Sequence, residues 1–245
     1  QYLNDAIKYY SMWNGEYPYN VVSAVDGSLS AGGGMEYPTI TVIGNVQSDM
    51  SLETVIMHEV GHNWFYGILG SNDRSNPWMD EGLNSFNEMR YIETKYPELS
   101  LMGSYAPGRT GMNKFLHIED ISQRYQYQLT YLLQAARNAD QPMKEKADEF
   151  TSFNYAGIVY HKTAIEMDYL RQYLGENVFD KCMHEYYERW KFKHPQPADL
   201  HQTFEDVSNR DLDWFFNDIV NTNNVIDYKI IGIGNPERGS TKTST

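Results

Sequence analysis

The sequence predicts an α+β fold that is mostly helical, with a small mixed sheet near the N-terminus and a helical C-terminal lobe. Apolar residues recur at helical spacing through most of the chain after about residue 50. The run from residue 38 to 43 is rich in β-branched residues and follows a glycine-rich loop, as a strand would. A chain of 245 residues is also long enough to bury a substantial core.

The segments with helical periodicity are bounded by capping and turn residues. Ser51 is the expected N-cap of the second helix, and Gly67 or Gly70 its expected end. The stretches 96–119 and 141–150 lack this pattern and are predicted connections. Residues 1–232 are predicted to form one domain of two lobes, and 233–245 a polar tail or cut linker. We expect helices at Leu3–Trp13, Leu52–Tyr66, Asp80–Glu93, Ile121–Asn138, Gly157–Leu174, Glu176–Lys191, Ala198–Ser208 and Leu212–Asn221.

The second predicted helix carries the sequence His-Glu-Val-Gly-His. Positions four apart lie above one another on a helix, so His58 and His62 can hold one metal ion. Glu59 lies about 100° around the helix and can act as a base. A pair of surface histidines on an amphipathic helix is the alternative explanation of the pentapeptide alone. The surrounding sequence distinguishes a metal site from a pair of surface histidines.

Glu81 follows His62 after eighteen intervening residues and opens another predicted helix. This spacing suits a third zinc ligand. Three protein ligands with one open position are typical of catalytic zinc sites, whereas structural sites are closed by four. The single cysteine, Cys182, excludes a thiolate zinc site and an internal disulfide framework.

A glycine loop, Gly33-Gly34-Met35-Glu36-Tyr37, precedes the predicted strand from Pro38 to Ile43. Proline at the start of a strand is typical of a sheet edge, where an extended peptide can bind by main-chain pairing. Glu36 would then face the bound peptide. An ordinary flexible turn is the alternative for the glycine run by itself.

Taken in order, Gly-Gly-Met-Glu-Tyr, His-Glu-Val-Gly-His-Asn-Trp-Phe and Trp-Met-Asp-Glu-Gly-Leu resemble the M1 family of zinc aminopeptidases. The segment Tyr160-His161-Lys162-Thr163 is similar to the tyrosine segment of that family. The resemblance runs from about Tyr17 to about Tyr228 and implies a thermolysin-like catalytic domain with the zinc site between its two lobes.

The resemblance implies a role for each motif residue. His58, His62 and Glu81 would bind one Zn²⁺, which lowers the pKa of water from about 15.7 towards neutrality. Glu59 would act as general base and then acid, and Tyr160 would stabilise the oxyanion. Glu36 would bind the free α-ammonium group of the peptide. The substrate-binding residues implied are Glu36, Gly34, Met35 and Tyr155.

Two positions depart from the family pattern, and one assignment has a competitor. Tyr37 stands where the family usually has Asn, and Thr163 stands where it has Gly. Neither change is expected to carry chemistry. Tyr155 competes with Tyr160 for the role of oxyanion donor, although Lys162 and Gly175 fall at the family distances from Tyr160.

Trp64, Phe65 and Trp78 lie at apolar helical positions, which favours packing over substrate stacking.

Composition excludes several classes of function. The net charge of −13 argues against nucleic acid as a partner, because phosphates would be repelled, and it favours cationic ligands such as a peptide N-terminus. No run of residues is long and apolar enough to predict a membrane segment. The resemblance implies further domains of a longer parent chain. The sequence leaves the compartment open.

Aminopeptidase activity is therefore the leading hypothesis. A thermolysin-like endopeptidase is the second, and a non-hydrolytic peptide-binding relative is the third. The resemblance implies that a free N-terminus on the peptide substrate distinguishes the first from the second.

Overall fold

The computed structural model of the protein describes residues 1–29, 33–46, 48–100 and 121–224. The described part is mainly helical, with one three-stranded sheet near the N-terminus, which confirms the predicted α+β class. The predicted boundary at residue 232 and the tail 233–245 lie outside the described residues, as does most of the connection 96–119. The elements are α1 (Tyr2–Asn14), β1 (Ser23–Asp26), β2 (Gly34–Met35), β3 (Ile40–Ile43), α2 (Asp49–Gly61), α3 (Glu81–Lys95), α4 (Tyr125–Ala135), α5 (Thr163–Leu174), α6 (Glu176–Trp190) and α7 (Pro197–Ser208).

The sheet has the strand order β1-β3-β2. β1 pairs with β3 in parallel, with Ser23 opposite Ile40, and β2 pairs with β3 antiparallel, with Met35 opposite Val42. The prediction that the Pro38–Ile43 segment forms a sheet edge is therefore wrong for the described sheet. Pro38 lies in a turn before the strand, so its missing N–H removes no bond from the ladder.

Helix α2 begins earlier and ends earlier than predicted. Ser48, not Ser51, is the N-cap, and its side chain accepts a hydrogen bond from the Ser51 N–H at 3.1 Å. The helix ends at Gly61, not at Gly67 or Gly70. A Cβ atom on Gly61 would lie 2.1 Å from the Tyr10 hydroxyl oxygen, so this glycine permits a close approach of α1 to the end of α2.

The helix predicted at Gly157–Leu174 begins at Ser152, and its first part is irregular. After one turn, Ser152–Asn154, the chain forms a π-helical segment at Tyr155–Lys162 and then α5. π-Helical turns are uncommon and occur often at functional sites. A second π-helical segment, Trp214–Val220, replaces the last predicted helix.

The core is apolar and aromatic and surrounds α2 and α3. Trp64, Phe65 and Trp78 are fully buried, which is the packing role that their helical positions predict. Two buried charges are paired: Arg90 binds Asp180 through its guanidinium, and Glu53 forms an ion pair with Lys95. Among the helices of the described ranges, none has the length and apolarity that crossing a bilayer requires.

Candidate active site

Three predicted ligand atoms converge where α2 meets the start of α3. The Oε2 atom of Glu81 lies 3.1 Å from Nε2 of His58 and 3.2 Å from Nε2 of His62. The two imidazole Nε2 atoms are 3.3 Å apart. These separations match three vertices of a tetrahedron with a centre-to-vertex distance of about 2.0 Å, which is the length of zinc–nitrogen and zinc–oxygen bonds. The three residues therefore fit Zn²⁺, and one tetrahedral position is left for a further ligand.

The other ring nitrogen of each histidine is held by a carboxylate. Nδ1 of His58 donates to Glu88 at 3.0 Å, and Nδ1 of His62 donates to Asp80 at 2.7 Å. Such contacts fix the ring orientation and direct the lone pair of each Nε2 atom toward the metal position. Motif reasoning missed both carboxylates. Glu88 was detectable in principle, since it lies two helical turns after Glu81 and so on the same face of α3.

The carboxylates also set the charge of the ligand cluster. Burial lowers the pKa of His58, but its hydrogen bonds with Glu81 and Glu88 outweigh burial and raise the pKa to about 10. The pKa of His62 is likewise raised, against its burial, by Asp80 and Glu81. Burial opposes ionisation of Glu81, yet hydrogen bonds from the two histidines lower its pKa below the usual range. The field at the cluster therefore attracts positive charge.

Glu59 is buried beside the ligands, and its pKa is raised to about 7, mainly by burial. His58 and His62 lower this pKa, whereas Glu36 and Glu81 raise it. The backbone of Gly34 packs directly on the Glu59 side chain: a Cβ atom at Gly34 would lie only 2.3 Å from Glu59 Cγ. Only glycine allows strand β2 to come this close. A carboxyl group with a pKa near neutrality can both accept and return a proton.

Tyr160 lies on the π-helical segment with its ring stacked on His58, at 6.0 Å between ring centroids and 22° between planes. Burial and the neighbouring Glu81 raise its pKa far above the usual range, so the phenol is neutral and can donate a hydrogen bond. The ring of Tyr155 meets that of Tyr160 edge to face at 5.9 Å. Burial, followed by Glu81 and other carboxylates, raises the pKa of Tyr155 to about 12.

Glu36 lies at the corner where the chain leaves β2, and it is half-buried. Its charge helps to raise the pKa values of Glu59, Asp80 and Tyr155, after the larger effect of burial at each. The carboxylate is thus within electrostatic reach of the ligand cluster. Met35, beside it, pairs with Val42 and accepts a hydrogen bond from the Thr41 hydroxyl at 2.9 Å.

The two departures from the family pattern differ in their burial. Tyr37 is about half exposed at the surface, with 53% of its area accessible. Thr163 is fully buried, and its methyl group fills the space beside Gly82, where a Cβ atom would lie 2.4 Å away. A glycine in α3 thus accommodates the threonine that replaces the family glycine in the tyrosine segment.

Comparisons with known proteins agree on one family. The sequence profile described as "Peptidase family M1 domain" matches residues 4–219. Aminopeptidase 2 of Candida albicans is 24% identical over 209 residues, which cover 80% of this chain and 21% of that protein. Human endoplasmic reticulum aminopeptidase 2 is 22% identical over 148 residues, covering 60% of this chain and 13% of the relative. This chain therefore spans about a fifth or less of the length of these relatives.

Solved structures show the same fold. A mutant M1 zinc metallopeptidase from Deinococcus radiodurans superposes with a TM-score of 0.68 at 15% identity, covering 92% of this chain and 45% of that one. Aminopeptidase A of Legionella pneumophila, solved with aspartic acid, gives a TM-score of 0.65 at 16% identity, covering 90% of this chain and 24% of that one.

Proposed function

This chain belongs to peptidase family M1, and we propose that it is the catalytic domain of a zinc-dependent aminopeptidase, which removes single residues from the free N-terminus of peptides. The observation that carries the proposal is the convergence of His58, His62 and Glu81 at tetrahedral separations, with Glu59 and Tyr160 beside them. Because the relatives are several times longer, we also propose that further domains of a parent chain complete the substrate site.

His58, His62 and Glu81 would hold the zinc ion. Bound Zn²⁺ supplies Lewis acidity, which makes water a nucleophile near neutral pH and polarises a carbonyl group. Glu88 and Asp80 keep the two imidazole rings oriented for this role through the hydrogen bonds on their Nδ1 atoms.

Glu59 moves the proton. Its carboxylate takes a proton from the attacking water and later gives it to the nitrogen of the leaving amine. In the metal-free protein, burial raises the pKa of this carboxyl group to about 7, and a group of such basicity is suited to both steps. The contact with Gly34 keeps the carboxylate on the side of the cluster that strand β2 covers.

Tyr160 stabilises the charge that develops on the carbonyl oxygen. Its phenol stays neutral because burial and Glu81 hold its pKa very high, so the hydroxyl remains a donor throughout the working pH range. A donor already fixed by stacking on His58 does not have to reorganise as the charge develops.

Glu36 binds the α-ammonium group of the substrate. A half-buried carboxylate at the end of β2, next to other acids, is suited to a cationic N-terminus. An amine held there would leave the first peptide bond at the metal, which favours an exopeptidase over an endopeptidase.

The proposal is tested by the hydrolysis of amino-acid arylamides by the zinc-loaded protein. Turnover is expected to disappear after chelation and in the Glu59→Gln variant, and to be absent with N-acetylated substrates. Glu36→Gln is expected to raise KM for the free-amine substrate. The exposed Glu98→Gln change serves as the matched control, and its rate should equal that of the wild type.

Either of two other results would contradict the proposal and indicate a different function. Cleavage of N-blocked internal peptides at comparable rates would identify an endopeptidase. Stoichiometric zinc without turnover, in a parent chain that contains every domain, would identify a non-hydrolytic peptide-binding relative.

A further inference from the structure

The turn that follows Glu36 has an unfavourable backbone. The Ile40 N–H donates to the Tyr37 carbonyl at 3.1 Å, which closes a β-turn with Pro38 and Thr39 at its centre. Thr39 has a φ of 64°, in the left-handed region. Turns with proline at the second position and positive φ at the third normally carry glycine or asparagine there, because a β-branched side chain is strained in this conformation. Contacts from outside the turn therefore have to hold Thr39.

Two such contacts are present: the Ser23 N–H donates to the Thr39 carbonyl at 2.9 Å, and Asn63 holds the Thr39 N–H. Its Oδ1 atom accepts a hydrogen bond from the Thr39 N–H at 2.8 Å, and it also lies 3.5 Å from the Tyr17 hydroxyl. Its Nδ2 atom donates to the Val60 carbonyl at 2.8 Å, which fixes which side of the amide faces the turn. Asn63 is 1% exposed, so water cannot readily replace it as the acceptor.

The segment around the metal ligands thus presents two pairs of residues with the same spacing. His58 and His62 meet Glu81 from α3, as described above. Glu59 and Asn63, each one residue later, meet the hairpin formed by β2 and β3: Gly34 packs on Glu59, and Thr39 donates to Asn63. Glu36 lies between these two contacts in the sequence.

We propose that Asn63 is a positioning residue for the exopeptidase reaction: by holding the Thr39 turn, it fixes Glu36 at the distance from the metal ligands that admits a single residue of substrate. Asn63 touches neither substrate nor metal and acts through the turn. The inference rests on the proposed function for its catalytic consequence, whereas the contact between Asn63 and the turn can be tested without any activity.

The catalytic test uses the zinc-loaded protein with free and N-acetylated aminoacyl arylamides. Asn63→Ala should raise KM for the free-amine substrate about tenfold, the effect of losing one well-aligned hydrogen bond, with a smaller change in kcat. Adding Thr39→Gly should restore KM to within about threefold of wild type, because glycine adopts the positive φ without help. Asn87→Ala is the matched control, since Asn87 is also fully buried with its Nδ2 bonded to a backbone carbonyl, but it lies in α3 away from the hairpin.

An unchanged KM in Asn63→Ala would overturn the proposal. Failure of Thr39→Gly to restore KM, or a loss of bound zinc in parallel with activity, would also overturn it, because Asn63 would then only be stabilising the end of α2. The Asn87→Ala control should lower thermal stability without moving KM.

Hydrogen exchange of the backbone amides separates this inference from the proposed function. The Thr39 amide should exchange at least about tenfold faster in Asn63→Ala than in wild type, whether or not the protein hydrolyses any substrate. Equal exchange rates would show that Asn63 does not hold the turn. If wild type has no arylamidase activity but the exchange difference is present, the proposed function fails while the contact stands.

Discussion

The contact between Gly34 and Glu59 allows a sharp test of the proton-transfer role. In Gly34→Ala, the new methyl group would lie 2.3 Å from Cγ and 2.5 Å from Oε1 of Glu59. To relieve the clash, the Glu59 Cγ atom has to move from 2.3 Å to 3.4 Å from the new methyl group, the distance at which ordinary van der Waals contact begins. This is a displacement of about 1.1 Å. Displacement of a catalytic group by this amount costs on the order of 100-fold in rate. We therefore expect kcat to fall about 100-fold.

The assay is steady-state hydrolysis of an aminoacyl arylamide, with bound zinc and thermal unfolding measured on the same samples. Zinc content should stay near one per chain, because the substitution changes none of the three ligand residues. Gly33→Ala is the control from the same loop. A Cβ atom at Gly33 meets no atom of the described residues within 4 Å, but its φ of 69° is strained for alanine. This control should lose stability and keep its kcat.

A Gly34→Ala variant with kcat within about threefold of wild type would refute the reasoning. The Glu59 carboxylate would then return to a productive position despite the methyl group, and the close approach of β2 would have no effect on catalysis. Equal losses of kcat in Gly33→Ala and Gly34→Ala would refute it as well, because a general disturbance of the loop would explain both.

Two further predictions concern groups around the site. Glu88→Gln should weaken zinc binding about 10- to 100-fold, because it weakens the acceptor for Nδ1 of His58. Competition with a chelating indicator measures the affinity, and an unchanged affinity would contradict the orienting role of Glu88. Lys162→Met should raise the free energy of unfolding by about 1 kcal/mol near neutral pH, since Lys162 is 1% exposed and its Nζ atom has no hydrogen-bond partner among the described residues. Burial lowers the pKa of Lys162, so the gain in stability should shrink as pH rises towards 10.5, where the lysine of the unfolded chain also releases its proton. A gain in stability that does not depend on pH would show that the buried charge is not its cause.

The ligand residues could be predicted from sequence because their geometry is local. His58 and His62 lie on one helix, where a spacing of four fixes their relation, and Glu81 starts the next helix. The bounds of α2 could be predicted less accurately, because Ser48 and Ser51 are both possible N-caps. Gly61, where the helix ends, leaves room for Tyr10, which lies on a helix about fifty residues earlier in the chain.

The contacts that surround the ligands depend on tertiary packing, which the sequence pattern does not contain. Asp80 and Glu88 meet the histidines only after α3 docks on α2. The position of β3 at the centre of the described sheet depends on β1, whose four residues carry little periodic signal. The strained Thr39 and its partner Asn63 are 24 residues apart, and neither residue type indicates such a contact by itself.

The burial that suits Glu59 to proton transfer should make the fold less stable. Its pKa is raised from 4.5 to about 7, so the folded chain holds a proton that the unfolded chain releases between these values, and stability is lost as pH rises through this window. At 1.36 kcal/mol per pKa unit, the cost above pH 7 is on the order of 3 kcal/mol. Glu59→Gln should therefore abolish turnover yet stabilise the metal-free protein by up to about 3 kcal/mol at pH 8, and by almost nothing at pH 4. Urea unfolding of both proteins at the two pH values, with a chelator present, measures this difference. A glutamine variant that is less stable at pH 8, or one with the same gain at both pH values, would show that burial of the charge is not what raises the Glu59 pKa.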